Sequence, residues 1–169
     1  MFPVYEQKKE NVHILQKTSR HAPPHLHNSV EFIYVISGSM EIGMGQELFH
    51  MDEGDFAVIF PDVIHHYQVF SEKTSRADYI LVPSSFAGVF EDKIQGYAPE
   101  YPVIRAGQIE PDVYNAIQAI IQMQKKDPMI VQAYVQIVLA RCIGKMELVE
   151  KSCVGSDDLI YRPVSYISG

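Results

Sequence analysis

Two histidines and a glutamate lie close together in the segment His25-Leu26-His27-Asn28-Ser29-Val30-Glu31. Side chains alternate between faces along an extended chain, so positions 25, 27 and 31 share one face if no bulge intervenes. A third histidine, His65, follows a turn in Gly54-Asp55-Phe56-Ala57-Val58-Ile59-Phe60-Pro61-Asp62-Val63-Ile64-His65. By the same alternation Tyr67 points inward with His65, whereas His66 and Gln68 face out. If these strands lie together in a small barrel, three imidazoles and a carboxylate converge on its interior. That is a borderline donor set for divalent Zn, Fe, Ni, Mn or Cu. A single histidine on a strand is most simply a hydrogen-bonded core or rim residue, but four ligand-type residues at once are not explained that way. Two readings remain: a bound metal, or a metal-free polar pocket for a small effector, with the balance slightly towards the second. His13, His21 and His50 fall in no pattern and receive no role.

The elements that must position these groups are β-rich up to about residue 82. Val12–Gln16 reads as a first strand, and Glu31–Ser37 (EFIYVIS) is strongly β-branched and aromatic before Gly38. Met40, Ile42 and Met44 alternate with smaller or polar residues, as a half-buried strand does. Turns at Gly45-Gln46 and Asp52-Glu53-Gly54-Asp55 lead into further strands at Glu47–Met51 and Phe56–Phe60. Pro61-Asp62 precedes His65–Phe70, and Arg76–Val82 closes the series. Successive hairpin-like connections predict a meander or jelly roll, with Ile33, Val35, Met40, Ile42 and Met44 as apolar walls of the pocket. Prolines 83, 99 and 102 and glycines 88 and 96 predict an irregular crossing from Pro83 to Arg105 with one short helix.

After Gly107 the period becomes helical. Pro111 suits a first turn, and Tyr114, Ile117 and Ile121 mark one face up to Lys126. Asp127-Pro128 reads as a cap and first-turn proline of a second helix, whose stripe is Val131, Val135, Val138, Cys142, Met146 and Val149. The short joint predicts an antiparallel helical hairpin. Its stripe is by default core packing, and it is long enough to serve a partner helix in a homodimer as well. Residues 152–158 have a linker composition, and Leu159–Ser168 reads as the start of a further helix cut short. The expected division is 1–105, 106–151 and 152–169.

The 169 residues carry a net charge of −7 and are 47% hydrophobic. An acidic chain lacks the clustered Lys and Arg that phosphate contacts require. Cys142 and Cys153 are too few for a disulfide framework, so a reducing compartment is the simpler expectation. Neither a signal peptide nor a run of membrane-spanning length is visible, and a cytoplasmic protein without membrane contact is expected.

The pattern His-x-His, three residues, Glu, six residues, Gly38 resembles the first cupin motif, and Gly54 through Pro61 to His65 resembles the second. Ser19 and Val69 stand where that pattern has glycine and asparagine, and Phe60-Pro61-Asp62 replaces its PxG. The resemblance implies that His25, His27, Glu31 and His65 align with the four cupin metal ligands, with Zn, Ni or Fe as candidates. The order of elements further resembles the N-terminal sensing and dimerisation domain of AraC-family transcription regulators. That implies a mainly β fold, a small antiparallel cupin (jelly-roll) barrel followed by a C-terminal α-helical hairpin. It also implies a small effector such as a sugar, bound by His25, His27, Glu31, His65 and Tyr67, and homodimerisation. DNA contact would come only through an absent C-terminal helix-turn-helix domain, to which Ile160–Ser168 is similar at its start. An N-terminal arm over the pocket is a further property of that family. The expectation is a non-enzyme; the alternative is a small metal-dependent cupin enzyme, a dioxygenase or isomerase.

Overall fold

The computed structural model describes residues 3–6, 10–18, 21–70 and 74–154. Twelve strands and three α-helices lie among them. In chain order the strands of the β-rich part are β1 (Val4–Tyr5), β2 (His13–Thr18), β3 (Ala22–Leu26), β4 (Ser29–Ser37), β5 (Ser39–Met44), β6 (Glu47–Asp52), β7 (Phe56–Ile59), β8 (His65–Gln68) and β9 (Arg76–Pro83). The expected crossing holds more structure than its prolines suggested. A 3₁₀ turn at Ser84–Phe90 runs into α1 (Glu91–Gly96), followed by β10 (Tyr97–Pro99) and β11 (Val103–Ile104).

Two five-stranded sheets result, in the orders β1-β3-β8-β5-β6 and β11-β7-β4-β9-β2. This corrects the expectation of a closed antiparallel barrel. From β1 to β9 the chain crosses from one sheet to the other at every connection except β5–β6, each sheet keeps free edges and no ladder closes. The pairing is also not wholly antiparallel, since β1 runs parallel to β3. The core is continuous and includes Ile33 and Ile59 on the face of Glu31, Phe32, Phe56 and Ile80 on the opposite face of the same sheet, and Met40, Ile42 and Met51 of the other sheet, all fully buried.

Local chemistry explains the turns. Gly38 takes φ +79° between β4 and β5, and a Cβ there would collide with Ser75, so only glycine fits. The Pro23-Pro24 pair falls where the β3–β8 register shifts between Ala22 and His25. Proline cannot donate to a ladder and is tolerated at such an irregularity. Asp55 ties the β6–β7 corner together. It is buried, accepts bonds from the Asp52 and Ala106 amides, and pairs with Arg105 at 2.7 Å.

The helices are α2 (Pro111–Gln122) and α3 (Pro128–Lys145), which pack on one another. Asp127 caps α3 by accepting from the Met129 amide, as the sequence predicts. Lys126 donates to the carbonyls of Ile120, Ile121 and Met123, which closes α2 four residues earlier than expected. The buried face of α2 is Val113, Ala116, Ile117 and Ile120 rather than Tyr114, Ile117 and Ile121. Both sets have helical spacing. Tyr114 instead meets Tyr34 edge to face on the partly exposed side of the sheet. On α3, Val131, Val135, Val138 and Cys142 are buried as predicted, and Leu139 joins them. Met146 is already extended, and Val149 lies in β12 (Leu148–Glu150), paired with Ala98 of β10. The stripe therefore ends with the helix at Lys145. Lys151–Cys153 forms one 3₁₀ turn, and the expected final helix at 159–168 lies outside the described residues.

Asp55→Ala should lower unfolding free energy by about 3 kcal/mol, because the Asp52 and Ala106 amides lose a buried acceptor and Arg105 its partner. Arg105→Ala should cost only about 1 kcal/mol, since its guanidinium is half exposed. Urea denaturation of both variants tests this; equal losses would show that Asp55 does not anchor the corner.

Candidate metal centre

β3 and β4 belong to different sheets and are joined at His27-Asn28, so the chain turns through the gap between the sheets at this point. His25 on β3 is the register partner of His65 on β8, and Glu31 on β4 comes from the opposite sheet. The expected convergence occurs, but across the gap between two sheets rather than along one extended strand. His25, His27, Glu31 and His65 meet, each offering one donor atom, with all four atoms within 4.8 Å of one another. His27, Glu31 and His65 are 2%, 3% and 1% exposed, and His25 forms the edge of the group at 9%. Tyr67 points inward beside them and His66 outward, also as predicted.

The orientation of the rings is fixed from outside the cluster. His25 Nδ1–H donates to the Pro23 carbonyl and His65 Nδ1–H to that of Val63, each at 2.8 Å. This assignment leaves the Nε2 lone pair of both rings free, as for metal-bound histidines held by a backbone acceptor. His27 Nε2–H donates to Glu31 Oε1 at 2.9 Å, and the Tyr67 hydroxyl donates to Glu31 Oε2 at 2.5 Å. His65 Nε2 stands 3.4 Å from Glu31 Oε1 and is buried without a hydrogen bond. A buried acceptor left without a partner is costly, and a cation among these four donors would satisfy it. The donor set, three imidazoles and a carboxylate, thus fits a divalent transition metal, which would supply a Lewis-acidic centre there.

Charge in the cluster is strongly polarised. Burial opposes ionisation of Glu31, but the His27 hydrogen bond and the His65 ring outweigh it and hold the carboxyl far below its usual range. Burial likewise opposes a charge on His27, and its bond to Glu31 overcomes this and raises its pKa. Burial and then the neighbouring His65 ring push His25 the other way, towards the neutral form. Tyr67 is raised well above a normal phenol by burial and by the Glu31 charge, so it remains a donor.

A cavity of about 270 Å³ opens beside the cluster. His25, Glu31 and Tyr67 reach it, and Leu15 and Leu81 give it apolar surface. Ile33, Val35, Met40, Ile42 and Met44, expected as its walls, are buried in the core and are not among the residues that line it. Val4 and Glu6 do line it, brought there by the parallel pairing of β1 with β3. From sequence alone, Glu6-Gln7-Lys8-Lys9-Glu10 is most simply a solvated run. A two-residue strand carries no periodicity that could have marked it.

Residues 11–82 match the family model described as a cupin domain, so a cupin domain is present in this chain and contains all five site residues. The crystal structure of the AraC-like transcriptional activator CuxR is similar over 83% of this chain and 53% of its own, with a TM-score of 0.56 and 8% identity. This chain thus spans about half the length of that activator. A conserved protein with a double-stranded β-helix domain from Klebsiella pneumoniae is similar over 46% of this chain and 71% of its own (TM-score 0.41, 18% identity). Bacillus subtilis oxalate decarboxylase, described with Mn(II) centers, is similar over 44% of this chain and 22% of its own (TM-score 0.40, 20% identity). No protein of curated function matches the sequence. Among the described residues, no helix is long and apolar enough to cross a membrane.

Because the pKa of His27 is raised, metal must displace its proton throughout the range below that pKa. Nickel affinity should therefore fall about tenfold per pH unit there, and His27→Ala should weaken it by roughly 100-fold. Calorimetry on chelator-stripped protein between pH 5.5 and 8 measures both. A pH-independent affinity, or equal binding by the variant, would rule out a site at this cluster.

Proposed function

We propose that this chain is the sensing and dimerisation part of an AraC-like transcription regulator, with the His25–His27–Glu31–His65 cluster and Tyr67 as the floor of its effector site. A divalent metal or a small polar molecule occupies that site in this reading. The observation that carries the proposal is the extent of the likeness to the AraC-like activator: it takes in 83% of this chain, whereas the cupin model covers residues 11–82 alone. The net charge of −7 supports the part of this reading in which DNA contact belongs to a separate domain of the regulator. Signalling would be a population shift, in which the occupied site favours one arrangement of the sheets and helices.

The competing reading is a small metal-dependent cupin enzyme. The cluster and its adjoining cavity favour it, since an accessible ion beside space for a substrate is what such chemistry needs. The helices weigh the other way. Val138, named by its spacing for a partner interface, is 0% exposed and belongs to the protomer's own core. The outer side of α3 is nevertheless apolar, with Ile130 48% and Ile137 40% exposed and Tyr134 between them at helical spacing. That face, not the Val138 stripe, is the one available to a second copy.

The wild type should sediment as a dimer and Ile130→Glu/Ile137→Glu as a folded monomer with unchanged circular dichroism. The chain alone should give no sequence-specific gel shift with DNA upstream of its own gene. A monomeric wild type, a dimeric double variant or a specific DNA complex would each contradict the proposal.

A further inference from the structure

The two oxygens of Glu31 have different company. Oε1 stands 2.9 Å from His27 Nε2 and 3.4 Å from His65 Nε2, beside the rings that would hold an ion with it. Oε2 accepts from the Tyr67 hydroxyl at 2.5 Å, the short end of the range for a hydroxyl on a carboxylate. One oxygen therefore faces the imidazoles, and the other is occupied by a phenol.

Tyr67 is held where it is. It lies in β8 between β3 and β5, with Ala22 and Ile42 as its register partners. Its ring meets those of His25, His65 and Tyr79 edge to face at 5.6, 5.5 and 5.5 Å, and the residue is 5% exposed. A hydroxyl beside a carboxylate can only donate to it, and a buried hydroxyl stripped of its acceptor is costly. An ion entering among the imidazoles meets Oε1 at no such cost, whereas taking Oε2 as well would break the Tyr67 bond.

We propose that Tyr67 is a positioning residue of the metal centre: its hydroxyl holds the second oxygen of Glu31 back, so that Glu31 is a one-oxygen ligand. This rests on the metal form of the site reading above and adds a separate claim about Tyr67. The consequence lies in the cavity, which His25, Glu31 and Tyr67 all reach. Three imidazoles and a single carboxylate oxygen leave a metal that prefers more donors with a position for a small molecule. A two-oxygen Glu31 would fill that position from within the protein.

Cobalt(II) is the probe, because its visible bands weaken as its coordination number rises. Chelator-stripped wild type, Tyr67→Phe, Glu31→Gln and the double variant are loaded with one equivalent. Visible absorption is recorded, with infrared difference spectra of loaded against stripped protein. Tyr67→Phe keeps the ring and removes only the hydroxyl, so the cobalt bands should lose intensity as the freed oxygen joins the ion. The separation between the two carboxylate stretches should narrow at the same time. Added to Glu31→Gln, which has no second carboxylate oxygen to release, the same substitution should leave both spectra unaltered. A Tyr67→Phe protein with the wild-type spectra overturns the proposal, and so does an equal change in the Glu31→Gln background, which would place the effect in packing. If Tyr67→Phe does not fold, the wild-type infrared spectrum decides: a wide separation, from one-oxygen ligation, is expected, and a narrow one overturns the proposal. A wild type that takes up no cobalt would overturn the metal reading and this inference together, whereas spectra indifferent to Tyr67 in a cobalt-binding protein would overturn the inference alone.

Discussion

Glu31 is a carboxylate placed where water barely reaches it, in the gap between two sheets. An isolated charge there would be prohibitive, and the chain around it is arranged to make it tolerable. His27 donates to one oxygen and Tyr67 to the other, while His65 stands beside the first. Those three groups come from the β3–β4 turn and from β8, so the carboxylate draws together segments of both sheets. Pro23 and Val63 then fix the rings of His25 and His65 through their carbonyls. The cost of burying one charge in this way specifies the positions of four side chains. A cluster built to neutralise a carboxylate with imidazoles is also one that a divalent cation can enter, since the same donors serve both.

The cluster was legible from its residue types and their close spacing, although the expected single extended strand is not what gathers them. Residues 25, 27 and 31 do not share one strand face: the chain turns between the sheets at His27-Asn28, so His25 and Glu31 meet from opposite sheets. Turns were legible where one residue type is obligatory, as at Gly38. Features that depend on tertiary choice were not. α2 has two overlapping apolar stripes, and only the surface it meets selects Val113, Ala116, Ile117 and Ile120 over the set with Tyr114 and Ile121. The α3 stripe continues in sequence through Met146 and Val149, but pairing of Val149 with Ala98 turns the chain extended. Nor does periodicity tell a closed barrel from two sheets with free edges. The place of Glu6 at the cavity was invisible for a different reason: it comes from a parallel pairing of two residues with a distant strand.

These limits bear on function. The four-residue cluster fits a small ligand or ion between the sheets, and it does so equally for a sensor and an enzyme. What separates the two readings lies outside the cupin domain. α3 is apolar on the side packed against its own protomer and, at Ile130, Tyr134 and Ile137, partly apolar on the other. A sensor that works through association uses both sides, whereas a self-contained catalyst needs only the first. The strand that places Glu6 at the cavity lies outside the cupin match as well.

The most direct measurement of the central claim is X-ray absorption at the nickel edge on protein loaded with one equivalent. The account predicts a first shell of three imidazole nitrogens and at least one carboxylate oxygen at about 2.0–2.2 Å. A Glu31→Gln variant should show a weakened or missing oxygen contribution. A shell with fewer than two imidazoles, one dominated by solvent oxygen, or one indifferent to Glu31 would contradict it.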